Sequence, residues 1–255
     1  MANARQRMYE RRQAELKRKK AVRLGLIAGG IAVALAAVLV VVLVVVPTLT
    51  PPETDGDGVT PPHATAEYAI VIKDTADVPV VDLFFDYQCP GCGQLERSYG
   101  EAFASLSQTG AIKLVYHPFK FLDNNLQNDS STRASVAAAC ADTVGAYEAF
   151  HNAIFQAQPA KEGDGYTDET LRVTIPGQVG ITGDNLTAFQ TCYDEQQTLA
   201  WVNAASEAGS KAGVTSTPTV KVNGNDLPTS EVYQIAMDDN RPANLLALIK
   251  SKTGV

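Results

Sequence analysis

The sequence predicts an α/β domain whose short strands flank a long helical insertion, held behind one membrane-spanning helix. Three observations carry this reading. A strand pattern, a Cys-X-X-Cys motif, a helical pattern and a second strand follow one another between Val80 and His117. Strand patterns are then missing from about residue 125 to 212 and resume at Thr219. Finally, Leu24 to Val46 is a continuous run without a charged residue.

At about 1.5 Å per residue that run is long enough to cross a hydrocarbon core of roughly 30 Å. A cleavable leader has a shorter apolar region, roughly 7 to 15 residues, followed by small residues. Here the run ends Val44-Val45-Val46-Pro47, so residues 24–46 read as an uncleaved anchor. Residues 1 to 24 hold nine Lys and Arg against two acids, and the remainder holds twelve against twenty-six. This asymmetry predicts a cytoplasmic basic segment, 1–23, and an extracytoplasmic remainder. The basic cluster lies beside the span and the outer part is acidic, so nucleic acid is not an expected partner. Pro47 to Thr65 carries five of the thirteen prolines and reads as an unstructured linker, leaving 66–255 as one domain. All four cysteines fall in this outward part, where disulfides persist.

Tyr68–Ile72 reads as a short strand and Val80–Phe85 as a second, with Pro79 tolerated just before it. Gln94–Gln108 places Leu95, Tyr99, Phe103 and Leu106 at helical spacing, and Ala111–His117 returns as a strand. Two strands joined through a helix form a parallel crossover, which puts Cys89 where a helix starts beyond a strand's carboxyl end. The clearest helices of the insertion are Ala134–Ala141, Ala146–Gln156, Asp184–Tyr193 and Gln196–Ala212. Thr219–Val222, the turn Asn223-Gly224-Asn225 and a final helix, Pro242–Ser251, close the domain.

Cys89-Pro90-Gly91-Cys92 reads as a redox-active dithiol. A cysteine at a helix start meets unpaired N–H groups and the positive end of the macrodipole, both of which favour its thiolate. The competing readings are half of a zinc knuckle, which needs two more ligands, and a disulfide without turnover. His63 falls in the linker, His117 at a strand end and His151 on what reads as a helix surface, so they make no catalytic set; zinc held by Cys89, Cys92 and one His is the remaining alternative, and no metal is expected. No glycine loop suited to phosphate is present, and no cofactor is expected.

Phe84-Phe85-Asp86-Tyr87-Gln88-Cys89-Pro90-Gly91-Cys92, the order of elements and Thr215-Ser216-Thr217-Pro218-Thr219-Val220 together resemble the DsbA-like thiol-disulfide oxidoreductases, in particular the actinobacterial membrane-anchored branch. The resemblance spans 66–255 and implies a thioredoxin fold carrying a helical insertion. It implies that Pro218 is cis and faces the dithiol, and that the Thr217 backbone receives an extended substrate. The activity it implies is donation of the Cys89–Cys92 disulfide to exported cysteine-containing proteins, with reoxidation by a quinone-linked membrane partner of the DsbB or VKOR type. A reductase or isomerase using the same dithiol is the alternative, and a binding module without turnover is a third. Cys140 and Cys192, both in the insertion and neither in a CxxC context, read as a structural disulfide, with a second redox pair as the competing role. Two positions depart from the family pattern. Leu83 stands where a buried acid lies in many relatives, and Asp82 is expected on the other face of the strand; Asp86 is the candidate substitute for that acid, with a solvated strand-end role the favoured reading. Gly91 stands where strongly oxidising relatives carry His, which predicts a weaker oxidant.

Overall fold

A computed structural model describes residues 58–253. The basic segment, the apolar span and the linker as far as residue 57 lie outside the described residues. Among the described residues no helix is long and apolar enough to cross a membrane.

The sheet is built on β1 (Val80–Asp86), which pairs in parallel with β2 (Lys113–Phe119) from Val80↔Lys113 to Asp86↔Phe119. On its other side β1 runs antiparallel to β3 (Thr219–Val222), which in turn pairs with the short β4 (Asn225–Asp226), giving the order β2-β1-β3-β4. Asn223 and Gly224, with φ of 48° and 79°, make the tight turn between β3 and β4, the Asn-Gly chemistry that such hairpins need. β1 is buried on both faces. Leu83 and Phe85 enter the main core, while Phe84 packs with Phe119 and Val214 on the opposite side.

From β1 the chain enters α1 (Pro90–Leu95), passes through a π-type turn at Glu96–Gly100 and continues as α2 (Glu101–Gln108) before returning as β2. The insertion follows as α3 (Phe121–Leu126), α4 (Ser130–Asp142), α5 (Tyr147–Gln156), a second π-type turn at Thr170–Thr174, α6 (Ile175–Gln178), α7 (Gly183–Asp194) and α8 (Leu199–Lys211). Ala134, Ala137, Ala138, Ala139 and Ala141 bury α4, and their small side chains let neighbouring helices approach it on several sides. Helix α8 lies on β2, where Gly209 leaves room for the Phe119 ring. After β4 come α9 (Thr229–Val232) and α10 (Arg241–Thr253), the latter packed on α2 and β3 through Leu245 and Ile249.

Two expectations are corrected. Tyr68–Ile72 is not a strand: Tyr68 has φ 60°, which bends the chain, and only Ile70 bridges, to Ala64 and to Tyr116. The end of the linker is also not a free spacer. The Val59 N–H donates to the Gln197 carbonyl at 2.7 Å, and Pro61 is buried. His63 meets the fully buried Asp142 twice, through its N–H at 2.9 Å and Nδ1 at 2.7 Å. A buried carboxylate requires such partners, and the segment before residue 65 supplies them.

Cys140 of α4 and Cys192 of α7 are joined by a disulfide across a sequence separation of 52 residues. Closing a loop of that length restricts the unfolded chain by up to about 4 kcal/mol on the chain-entropy account. The double variant Cys140→Ala/Cys192→Ala is therefore expected to lose about 2–4 kcal/mol in denaturant unfolding while its Cys89 alkylates as before. An unchanged unfolding midpoint, or a loss of Cys89 reactivity in the folded variant, would contradict a purely structural role.

Candidate redox site

The site begins where β1 runs out. The Cys89 N–H donates to the Asp86 carbonyl at 2.9 Å, closing a turn that delivers Cys89 as the N-cap of α1 with extended backbone, φ −71° and ψ 119°. Pro90 follows at the first helical positions, where a missing N–H costs nothing and its fixed φ suits the helix.

The two sulfurs are placed in opposite electrostatic surroundings. Cys92 donates its thiol proton toward Cys89, the largest influence on the Cys89 sulfur; the N–H groups of Cys92 and Gly91 and the side chain of Thr217 add to it. Together they outweigh burial and bring the Cys89 thiol down to about 6. Cys92 is almost wholly buried, and burial together with the charge on Cys89 pushes its thiol well above the ordinary value. Neither cysteine is disulfide-bonded in this structure.

The Thr217–Pro218 peptide is cis, and its loop lies directly against the dithiol. A neutral Cys89 thiol donates to the Thr217 carbonyl at 3.3 Å. The buried Thr217 hydroxyl has no partner at regular hydrogen-bond geometry, and as a rotatable donor it lowers both sulfurs. Gly91 permits this close approach: a Cβ there would stand 3.1 Å from Pro218 Cδ and 3.8 Å from Cys89 Sγ. On the far side, the Tyr233 hydroxyl donates to the Gly91 carbonyl at 3.5 Å.

Asp86 is not a solvated acid. It is fully buried, and its carboxylate accepts from the Gln88 N–H at 2.9 Å, the Leu122 N–H at 3.1 Å and the Ser131 hydroxyl. Burial raises it to about 7 against those three donors, with Asp123 nearby adding to the rise. These bonds tie the end of β1 to α3 and α4; its backbone N–H, rather than its carboxylate, serves the Cys92 sulfur. Gln88 extends the network by donating to Asp123 at 2.9 Å and Asn128 at 2.8 Å.

Leu83 packs in the core, and Asp82 pairs with His117 at 2.8 Å on the other face of the sheet, where the His117 ring stacks on Phe84. His151 is also corrected: it is fully buried among Phe85, Tyr116 and Phe155 rather than on a helix surface. Its Nδ1 meets the Tyr87 hydroxyl at 2.9 Å and its Nε2 faces Glu96 at 3.5 Å. Neighbours on both sides of α5 bury this position, so helical spacing alone does not reveal its environment. Among the described residues no three His, Cys, Asp or Glu converge as a metal site.

Two residues of the insertion that no sequence pattern marks reach the dithiol turn. Gln158 donates to the Tyr87 and Cys89 carbonyls at 2.9 Å each, and the Tyr166 hydroxyl donates to the Tyr87 carbonyl at 2.8 Å. Both lie in the irregular stretch after α5.

The thioredoxin family matches residues 65–249. A search of curated proteins finds no match. Among solved structures, the chain is similar to the thiol-disulfide oxidoreductase MdbA of Actinomyces oris, with 22% identity and a TM-score of 0.64 over 79% of this chain and 98% of that one. It is also similar to reduced DsbA of Mycobacterium tuberculosis (24% identity, TM-score 0.53, 76% and 100% covered) and to reduced DsbG of the same organism (25%, 0.51, 73% and 87%). The fold is thus a thioredoxin-like α/β fold with a helical insertion.

The opposed acidities make a direct expectation. In the reduced protein, alkylation of Cys89 by iodoacetamide should follow an ionisation with a midpoint of about 6. Cys92→Ala, which removes the largest influence, should move that midpoint up. Because the folded value lies below the unfolded one, the stability that this group gives the reduced fold is complete above the ordinary thiol value of about 8.5 and is lost as pH falls through about 6. A midpoint near about 8.5 in the unaltered protein would contradict the arrangement.

Proposed function

The chain belongs to the thioredoxin family, and from that premise we propose that it is a membrane-anchored, extracytoplasmic thiol-disulfide oxidoreductase that donates the Cys89–Cys92 disulfide to exported proteins. The observation that carries this reading is the placement of the dithiol: Cys89 caps the start of the motif helix against the cis Thr217–Pro218 loop, 3.3 Å from the Thr217 carbonyl, where its thiolate is favoured, while the more deeply buried Cys92 one turn on is held as thiol.

The cycle follows from that asymmetry. A substrate thiolate attacks Cys89 of the oxidised protein; the Cys89–Cys92 bond breaks, a mixed disulfide forms, and Cys92 leaves and takes a proton. A second substrate thiolate attacks the substrate sulfur of the mixed disulfide and expels Cys89, which is a good leaving group because the helix start holds its charge. The substrate loses two electrons and gains a disulfide; the protein gains the two electrons as a dithiol. Thr217 and Pro218 form the surface that receives the substrate, with Thr217 backbone groups available for strand-like pairing. A cavity of about 460 Å³ beside them, lined among others by Thr215, Ser216, Leu227 and Pro228, gives an extended segment room. The dithiol needs no cofactor on this chain; a quinone-linked membrane oxidase of the DsbB or VKOR type restores the disulfide.

The chemistry of the relatives, named as thiol-disulfide oxidoreductases, supports the reaction type. Membrane attachment is supported by the uncharged run 24–46 and the charge asymmetry around it. In this reading 1–23 stays in the cytoplasm, 24–46 spans the membrane and the stretch after Pro47 leads to the catalytic domain.

The oxidised protein is expected to restore activity to a reduced, unfolded disulfide enzyme, and Cys89→Ser to abolish that ability. Equal activity of Cys89→Ser would contradict the reading, whereas efficient insulin reduction without oxidation would favour the reductase alternative. In cells, Cys92→Ala should accumulate mixed disulfides with exported proteins in a membrane fraction that resists carbonate extraction; recovery of the chain in the soluble fraction would contradict the anchor.

A further inference from the structure

Two carbonyl groups, those of Tyr87 and Cys89, sit at the turn that presents the dithiol. As the N-cap, Cys89 uses its carbonyl to accept the Gly93 N–H at 3.1 Å, the bond that opens α1. Both carbonyls also accept from one side-chain amide, Gln158 Nε2, at 2.9 Å each. The carboxamide is fixed at its other end, where Arg97 Nη1 donates to Gln158 Oε1 at 3.2 Å and to the Phe155 carbonyl at 2.9 Å. Two acceptors face the nitrogen and a guanidinium faces the oxygen, so only one orientation of the amide satisfies all of them. Space for it is built into the motif helix: a methyl group at Gly93 would overlap Gln158 Oε1 and the Arg97 guanidinium. The glycine after the second cysteine therefore accommodates a side chain from the helical insertion.

We propose that Gln158 is a positioning residue of the dithiol, holding the Tyr87 and Cys89 carbonyls so that the N–H groups of the first helical turn remain aimed at the Cys89 sulfur. Its two N–H···O bonds offset the negative ends of two carbonyl dipoles beside a sulfur that must carry charge. Without them, those dipoles and any loosening of the turn both disfavour the thiolate. The other ionisable groups facing the site are left in place by changing Gln158: Cys92 on the motif helix, Arg97 in the π-type turn after it, Asp86 and Tyr87 at the strand end, Tyr166 from the insertion and Tyr233 from the C-terminal part. The inference rests on the reading of Cys89 as the reactive thiolate, but not on the direction of electron flow.

The test is the pH dependence of iodoacetamide alkylation of Cys89, together with thiolate ultraviolet absorbance, in the reduced full chain. It compares the unaltered protein with Gln158→Ala, Gly93→Ala and the double variant. Gln158→Ala is expected to raise the midpoint, so that at a pH below both midpoints the alkylation rate falls at least about threefold. Gly93→Ala should act in the same direction by displacing the carboxamide, and should add little once Gln158 is gone. Should Gln158→Ala fail to fold, Gln158→Met, which keeps most of the volume and removes the donors, is read the same way. A depressed midpoint that does not move in the folded variants, or full additivity of the two substitutions, overturns the role of Gln158 alone. A midpoint in the ordinary thiol range for the unaltered protein overturns this role and the thiolate reading together.

Discussion

The structure depends on holding a negative charge on a sulfur that the fold has largely removed from water. Burial alone would keep Cys89 protonated, as it does Cys92 one turn further on. The balance is reversed by short-range donors: the neighbouring thiol, two helix-start N–H groups and the Thr217 side chain. Each has to arrive within hydrogen-bonding reach of one atom, and that requirement explains features that otherwise look unrelated. β1 ends in the turn closed by the Asp86 carbonyl, Pro90 occupies the first helical turn, and Gly91 carries no side chain so that Pro218 can close over the sulfur.

The helical insertion supports this arrangement as well as enlarging the core. Ser131 of α4 and Leu122 of α3 hold Asp86, while Gln158 and Tyr166 hold the carbonyls of the turn that follows. Residues 122 and 131 thus brace the end of β1, residues 158 and 166 brace the turn after it, and residues 217, 218 and 233 meet Cys89 and Gly91 of the dithiol itself. The Cys140–Cys192 disulfide joins two helices of the same insertion, α4 and α7. A redox site assembled from such distant parts of the chain is sensitive to the packing of a subdomain that carries neither reactive sulfur.

Much of this was legible in the sequence because the signals are local. The motif helix and the parallel crossover of β1 and β2 follow from patterns that span at most a few turns. The resemblance to DsbA-like proteins supplied the helical insertion's relation to the thioredoxin fold. What escaped reading depends on partners distant in the chain. Asp86 looks like a strand-end acid until Ser131 and Leu122 arrive to bury it, and His151 looks exposed until Tyr87 and Glu96 meet it. The residues before 65 read as a spacer because proline-rich composition does not disclose Asp142, the buried carboxylate that needs His63. Tyr68–Ile72 has strand-forming residues, but its backbone bends at Tyr68 and leaves only Ile70 to pair. Gln158 gave no signal, since a lone glutamine in an irregular stretch has no pattern to read.

In the proposed function, stabilising the Cys89 thiolate favours the reduced form and makes the disulfide a donor. The most direct test is the reduction potential of the Cys89–Cys92 pair, measured by equilibration against a glutathione series. A disulfide donor is expected to give a value in the region of known oxidants and isomerases, about −120 to −180 mV. A value near about −270 mV, where thioredoxin lies, would contradict disulfide donation and make this dithiol a reductant.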